Sequence, residues 1–62
     1  MPWTANDAYR FTHKADTPGK QTLWARIANS ALKRFLNMGY SQKHAEARAI
    51  REANAVIYEK GR

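Results

Sequence analysis

Sixty-two residues carry eleven Lys and Arg against five Asp and Glu, for a net charge of +6 and a pI near 10.2. A chain of this length is expected to build one small domain over residues 1–62, and with no cysteine it has neither a disulfide staple nor a thiolate metal site. The charge favours acidic partners such as nucleic acid or an acidic protein, although a small domain also gains plain solubility from it. No window approaches the roughly 20 apolar residues that span a bilayer, and no apolar leader follows the first residues.

In chain order, the segment before residue 17 is read first. Thr4 with Asp7 three positions later resembles a capping arrangement, with Asp shorter than the usual Glu. A short helix is predicted over about 5–12, with an extension to Lys14 left open. Ala8 would share one side of it with Phe11 or Thr12. Trp3, Tyr9 and Phe11 are too many aromatics for a free tail, so Trp3 or Phe11 is expected to dock on the main helices.

Asp16-Thr17-Pro18-Gly19 is turn chemistry. The residue before a proline is steered away from the helical region, which suits Thr17 as an N-cap. Pro18 then occupies the first helical position, where its missing N–H costs nothing. A central helix is predicted over about 18–37. Leu23, Trp24, Ile27, Ala28, Ala31, Leu32, Phe35 and Leu36 recur along it at helical spacing and cover an arc of roughly 220° at 100° per residue. Arg26, Asn29, Lys33 and Asn37 fall on the opposite arc, with Arg34 at an edge of the apolar one. An arc this wide exceeds what one neighbour needs. The helix is therefore expected to meet both the C-terminal helix and either the N-terminal segment or another subunit. Gly39 is expected to close it in a left-handed conformation.

Ser41 is the natural N-cap of a last helix predicted over about 42–59, ended by Gly61. Its inward face reads Ala45, Ala49, Ile50, Ala53, Val56 and Ile57. Alanines at four-residue steps permit a close helix approach, and the large residues of the central helix are expected to fill the space above them. Glu46 falls near this face, as a candidate partner for Lys20 or Arg34. The fold class is thus all-α: an antiparallel hairpin of two long helices with a short N-terminal helix packed on it. The expected core is Trp24, Ile27, Ala31, Phe35, Ala49, Ile50, Ala53 and Ile57.

Arg26-Ile27-Ala28-Asn29 is echoed by Arg51-Glu52-Ala53-Asn54. Asparagine competes for backbone hydrogen bonds in a helix interior. Asn29 and Asn54 therefore read either as a buried polar contact that fixes helix register or as exposed rim residues.

No catalytic constellation stands out. His13 and His44 lack an activating partner at a useful spacing, the glutamates are scattered, and the three glycines all punctuate helices. Neither an enzyme, a metal, a cofactor nor a small-molecule substrate is expected. Met38 to His44 has the outline of a helix-turn-helix, with Gln42, Lys43, Arg48 and Arg51 on its second helix. The same stretch is also the ordinary turn of a helical hairpin, which helices of this length favour. A basic amphipathic helix with Trp24 and Phe35 also fits a membrane-surface profile. The last helix, however, offers that stripe a partner, so it is read as core and no membrane partner is expected.

Met1-Pro2-Trp3, Thr12-His13-Lys14-Ala15-Asp16-Thr17-Pro18, Gln21, Trp24-Ala25-Arg26-Ile27-Ala28-Asn29 and Ala49-Ile50-Arg51-Glu52-Ala53-Asn54-Ala55-Val56 together resemble short basic proteins of tailed bacteriophages and prophages. More loosely, Pro18, Gln21, Asn29 and the alanine-rich end are similar to ChaB-like small helical proteins. Phe35 to Lys43 is longer than the turns of that family. The resemblance implies a phage context and no named activity or cofactor. It supports the expectation of a non-catalytic interaction module, a virion-associated structural or assembly protein. That module would contact a phage structural protein, another copy of itself, or DNA. Arg26, Lys33, Arg34, Lys43, Arg48 and Arg51 are the candidate contacts to an acidic partner. The alternative is a small DNA-binding regulator using the last helix. The expected location is the host cytoplasm, with incorporation into the virion open.

Overall fold

The computed structural model describes residues 3–60, so Met1, Pro2 and the predicted helix stop at Gly61 lie outside the described residues. A 3₁₀ turn at Ala5–Asp7 runs into helix α1, Ala8–Phe11; α2 spans Pro18–Asn37 and α3 spans Gln42–Lys60. The chain is all-α, with α2 and α3 forming a helical hairpin. The N-terminal helix starts as 3₁₀ and stops at Phe11, because Thr12 turns extended at φ −151°.

Each boundary follows from local chemistry. The Thr4 N–H donates to Asp7 Oδ2 at 2.9 Å, holding the first turn. Thr17 is extended at φ −127°, and its hydroxyl accepts from the Lys20 N–H at 3.3 Å. Ser41 Oγ accepts from the His44 N–H at 3.4 Å and opens α3. Between the long helices the chain makes a Schellman closure. The Tyr40 N–H returns to the Phe35 carbonyl at 3.2 Å and the Gly39 N–H to Leu36 at 3.1 Å. Gly39 supplies the required positive φ, +102°. The apolar contact that accompanies this motif is present, with the Phe35 and Tyr40 rings edge-on at 5.6 Å.

The core is mostly alanine. Ala8, Ala15, Ala25, Ala28, Ala31, Ala45, Ala49 and Ala53 are all buried, and bulk comes from Trp3, Trp24, Leu32 and Ile57. Trp24, Ala31, Ala49, Ala53 and Ile57 sit in the core as expected; Trp24 and Ile57 are the largest side chains with no exposure at all. Ile27, Phe35 and Ile50 do not belong to the sealed core; they are half-buried and pack against it from its edges. Leu36 is exposed at 37 %, because it lies at the free end of α2 beyond the cover of the N-terminal segment. The expected division into a bulky α2 and a small α3 holds in part. α3 buries Ala45, Ala49 and Ala53 with one large residue, Ile57, whereas α2 buries Trp24 and Leu32 beside three alanines, and the N-terminal arm adds Trp3.

That arm, Trp3 to Asp16, is held by three rings and two asparagines. Trp24 stacks on Phe11 at 5.2 Å and 8°, and meets Trp3 edge-on at 5.8 Å and 68°. Asn29 accepts from the Trp3 N–H at 3.2 Å and donates to the Trp3 carbonyl at 2.9 Å. Asn54 accepts from the Trp24 indole N–H at 2.8 Å and donates to the Phe11 carbonyl at 3.2 Å. Gln21 Nε2 adds a bond to the Ala15 carbonyl at 3.2 Å. Of the two expectations for the asparagines, the exposed rim is not met. Each is half-buried and makes polar contacts between elements: Asn54 joins α3 to Trp24 of α2, and both asparagines clasp the backbone of the arm. Asn29 leaves the outward arc of α2 for this reason: the arm lies over it. The arm covers part of the extra width of the apolar stripe. Glu46 likewise meets neither Lys20 nor Arg34; it accepts from Gln42 one turn earlier at 2.5 Å.

Two stability measurements follow. Asn54→Ala leaves the Trp24 indole N–H buried without an acceptor and the Phe11 carbonyl without its donor, at a cost of about 1–3 kcal/mol. Its thermal midpoint is expected to fall by about 4–8 °C per kcal/mol, whereas Asn37→Ala, at an exposed position, stays within about 0.5 kcal/mol of the wild type. The two helical-turn glycines respond with opposite signs, although a Cβ at either would meet nothing within 4 Å. Gly39→Ala forces a side chain into positive φ and costs about 1–2 kcal/mol. Gly19→Ala, inside the first turn of α2, restricts only the unfolded chain and adds about 0.4–1 kcal/mol. Denaturant titration of both variants checks the pair.

Candidate functional site

The acidic residues define the site by where they are spent. Asp7 holds the first turn and lies 3.6 Å from Arg10. Asp16 pairs with Lys20 at 3.3 Å, across the turn that starts α2. Glu52 pairs with Arg34 at 2.6 Å, tying α3 to α2. Glu46 is occupied by Gln42, and Glu59 is engaged as well. No acidic residue lies in α2 at all, because Pro18–Asn37 contains neither Asp nor Glu.

The candidate cations separate accordingly. Arg34 is consumed by Glu52, and its guanidinium also lies 5.1 Å from the Phe35 ring centre. Arg48 stands 4.6 Å over the Tyr40 ring, a contact that orients the side chain without cancelling its charge. Arg26, Lys33, Lys43, Arg48 and Arg51 are exposed and form no ion pair with another described residue. They are not gathered in one patch. At 100° per residue, Arg26 and Lys33 lie within roughly 20° of each other on α2, about opposite to the buried Ala28 and Ala31. Arg51 stands about opposite to the buried Ala49 and Ala53 on α3, with Arg48 roughly 60° to one side of it and Lys43 farther round the other. The two groups therefore point away from each other, outward from the hairpin.

Two depressions flank Arg26. One, of about 680 Å³, is lined by Trp3, Thr4, Ala5, Thr22, Ala25, Arg26 and Asn29, where the arm crosses α2. The other lies between the helices at Ile27, Ser30, Arg34, Glu52 and Val56. The second contains the Ser30 hydroxyl and the Glu52 carboxylate, the latter already paired with Arg34. His13 is stacked on Tyr9 at 4.7 Å and 21°, and His44 is hydrogen-bonded to Ser41 at 3.2 Å, so the imidazoles serve separate ends of the molecule. Among the described residues there is no group of His, Asp or Glu that could hold a metal ion, and no helix long and apolar enough to cross a membrane.

The clasp residues were the part of this surface hardest to single out in the sequence. The available signal was chemical: a buried tryptophan needs an acceptor for its indole N–H, and Asn54 is a polar residue bordering an apolar helix face. No protein-family model, no curated protein and no solved structure matches this chain.

The Arg34–Glu52 pair is half-exposed, at 54 % and 38 %, so its stabilisation is modest. A double-mutant cycle with Arg34→Ala and Glu52→Ala is expected to give a coupling of about 0.2–1 kcal/mol, shrinking in high salt. A coupling that salt leaves unchanged would assign the contact to packing on Phe35 instead.

Proposed function

We propose that this chain is a non-catalytic interaction module that meets an acidic surface through Arg26, Lys33, Lys43, Arg48 and Arg51. The observation that carries this reading is the division of charge just described. The fold uses its acids in its own turns and helix contacts, while these cations stay exposed and unpaired among the described residues. Unpaired surface cations on a small rigid body raise the local concentration of polyanions and release counterions on contact. The resemblance to short basic phage proteins supplies a setting: assembly on a virion or on packaged DNA, with the host cytoplasm as the place of synthesis. Arg34 takes no direct part, since Glu52 already balances it.

A sequence-reading regulator has less support. Gln42, the α3 residue best suited to a base edge, has its amide tied to Glu46. What remains on α3 is charge, which positions a protein on a backbone without reading sequence.

Binding to a short random-sequence duplex, and to polyglutamate, followed by fluorescence anisotropy, tests the proposal. Duplex affinity is expected to fall between about 50 and 200 mM salt with a log–log slope of about −2 to −4. Selection from a randomised duplex pool should enrich no motif. Failure to bind either polyanion at low salt overturns the reading, and a strongly enriched motif replaces it with the regulator.

A further inference from the structure

The cations of α2 and those of α3 face opposite ways, and this has a consequence for how many partners one copy engages. The molecule measures 33 × 20 × 15 Å. Arg26 and Lys33 form one outward edge of the hairpin; Arg48 and Arg51 form the other. Between them lie the sealed alanine interface and the arm. A single rod-like polyanion laid against one edge leaves the other edge facing solvent with its charge unspent.

We infer that one copy of this chain bridges two duplex nucleic-acid segments, one on the α2 edge and one on the α3 edge; the inference rests on the polyanion-binding role proposed above. The chemistry of the edges favours phosphate over an acidic protein. On α2 the residues sharing the arc with Arg26 and Lys33 are Thr22, Ser30 and Asn37, all exposed; on α3 the residues flanking Arg48 and Arg51 are His44, Ala47 and Ala55, also exposed. A protein interface draws its affinity from buried aromatic and aliphatic anchors; these arcs present small or polar side chains, with one exposed aromatic, Tyr58, whose ring lies under the Lys14 ammonium at 5.8 Å. Phosphate needs only a reachable positive charge, and small neighbours let a duplex backbone come close. Arginine dominates both edges together, three of the four, and its planar fork suits phosphate oxygens. None of these four residues makes an ion pair with a described residue, and only Arg48 has a ring contact, over Tyr40.

The decisive measurement separates geometry from total charge. Duplex is tethered to beads, and capture of a second, fluorescent duplex is read with wild type and with two variants of unchanged net charge. One variant, Arg26→Gln/Lys33→Gln/Ala47→Lys/Ala55→Lys, places all edge charge on α3. Its counterpart, Arg48→Gln/Arg51→Gln/Ser30→Lys/Asn37→Lys, places it on α2. All eight positions are exposed, and circular dichroism confirms that the helices survive. Wild type is expected to capture the second duplex, and each one-edged variant to capture at least about tenfold less while binding a single free duplex within about threefold of wild type.

Equal capture by the one-edged variants overturns the inference, because charge alone then suffices. So does wild type that binds free duplex but captures none, a result that leaves the proposed polyanion-binding role standing. Sedimentation as a dimer at the concentrations that give capture also overturns it, since two copies would then each use one edge. Capture of polyglutamate but not of duplex replaces nucleic acid with an acidic protein. Absence of any polyanion binding removes the earlier reading and the bridging with it.

Discussion

The hydrogen bond from the Trp24 indole to Asn54, together with the ring stack it supports, is the contact on which the rest of this fold depends. Trp24 is the largest side chain in the molecule with no exposure. Its ring occupies the junction of α2, α3 and the N-terminal arm. Burying an indole stabilises through its area, but only if the N–H finds an acceptor. Asn54 provides that acceptor from α3 at 2.8 Å and uses its own N–H to seize the Phe11 carbonyl. One amide thus joins all three parts of the chain. Among the described residues no buried side-chain nitrogen or oxygen lacks a partner.

The clasp matters because the helix interface beneath it is so spare. Alanines let α2 and α3 approach closely but bury little area each. A two-helix hairpin of this composition has a thin margin, as chains of roughly 60 residues do in general. The arm compensates by bringing Trp3, Phe11 and Ala8 onto a side where α2 would otherwise show an apolar surface. Asn29 and Asn54 hold that arm by its backbone rather than by its side chains. The arm's position is therefore fixed even where its sequence is plain. The echo between Arg26-Ile27-Ala28-Asn29 and Arg51-Glu52-Ala53-Asn54 has a physical counterpart: in each helix the arginine is exposed, the alanine is buried and the asparagine clasps the arm.

Helix boundaries were legible because they are set by neighbours in sequence. Thr17-Pro18, Gly39 and Ser41 each solve a local backbone problem, so reading them needs no knowledge of the tertiary fold. Trp24, Ala31, Ala49, Ala53 and Ile57 were legible because helical phase alone places them on the inward side. The exchange of roles between residues was not legible. Asn29 lies on the polar side of α2 by phase, and only the crossing arm makes that side an interface. Ile27 and Ile50 fall toward the margins of their faces, where burial depends on what lies across the groove, and Phe35 lies mid-face by phase but in the last turns of α2, near the hairpin turn. Glu46 could be placed on a face, yet its partner was decided by reach: Gln42 is one turn away on the same helix, whereas Lys20 and Arg34 already hold Asp16 and Glu52. The candidate cations were legible as a set, and their division between two opposite edges became visible only with the hairpin assembled.

That division ties the electrostatics of binding to the electrostatics of folding in a specific way. A net charge of +6 on so small a body repels itself. The cheapest place for such charge is where separation is greatest, which is the outward edge of each long helix. Ion pairs sit instead where they join elements: Lys20 with Asp16 at the start of α2, and Arg34 with Glu52 across the hairpin. Salt weakens both kinds of interaction, but with opposite results for the two processes. Screening relieves the repulsion between Arg26 and Lys33, and between Arg48 and Arg51, which favours the folded chain. The same screening removes the counterion-release gain that would hold a polyanion on those edges. The exposed cations are therefore a mild cost to the fold in isolation, and an acidic partner of the kind proposed would stabilise the hairpin without touching its core.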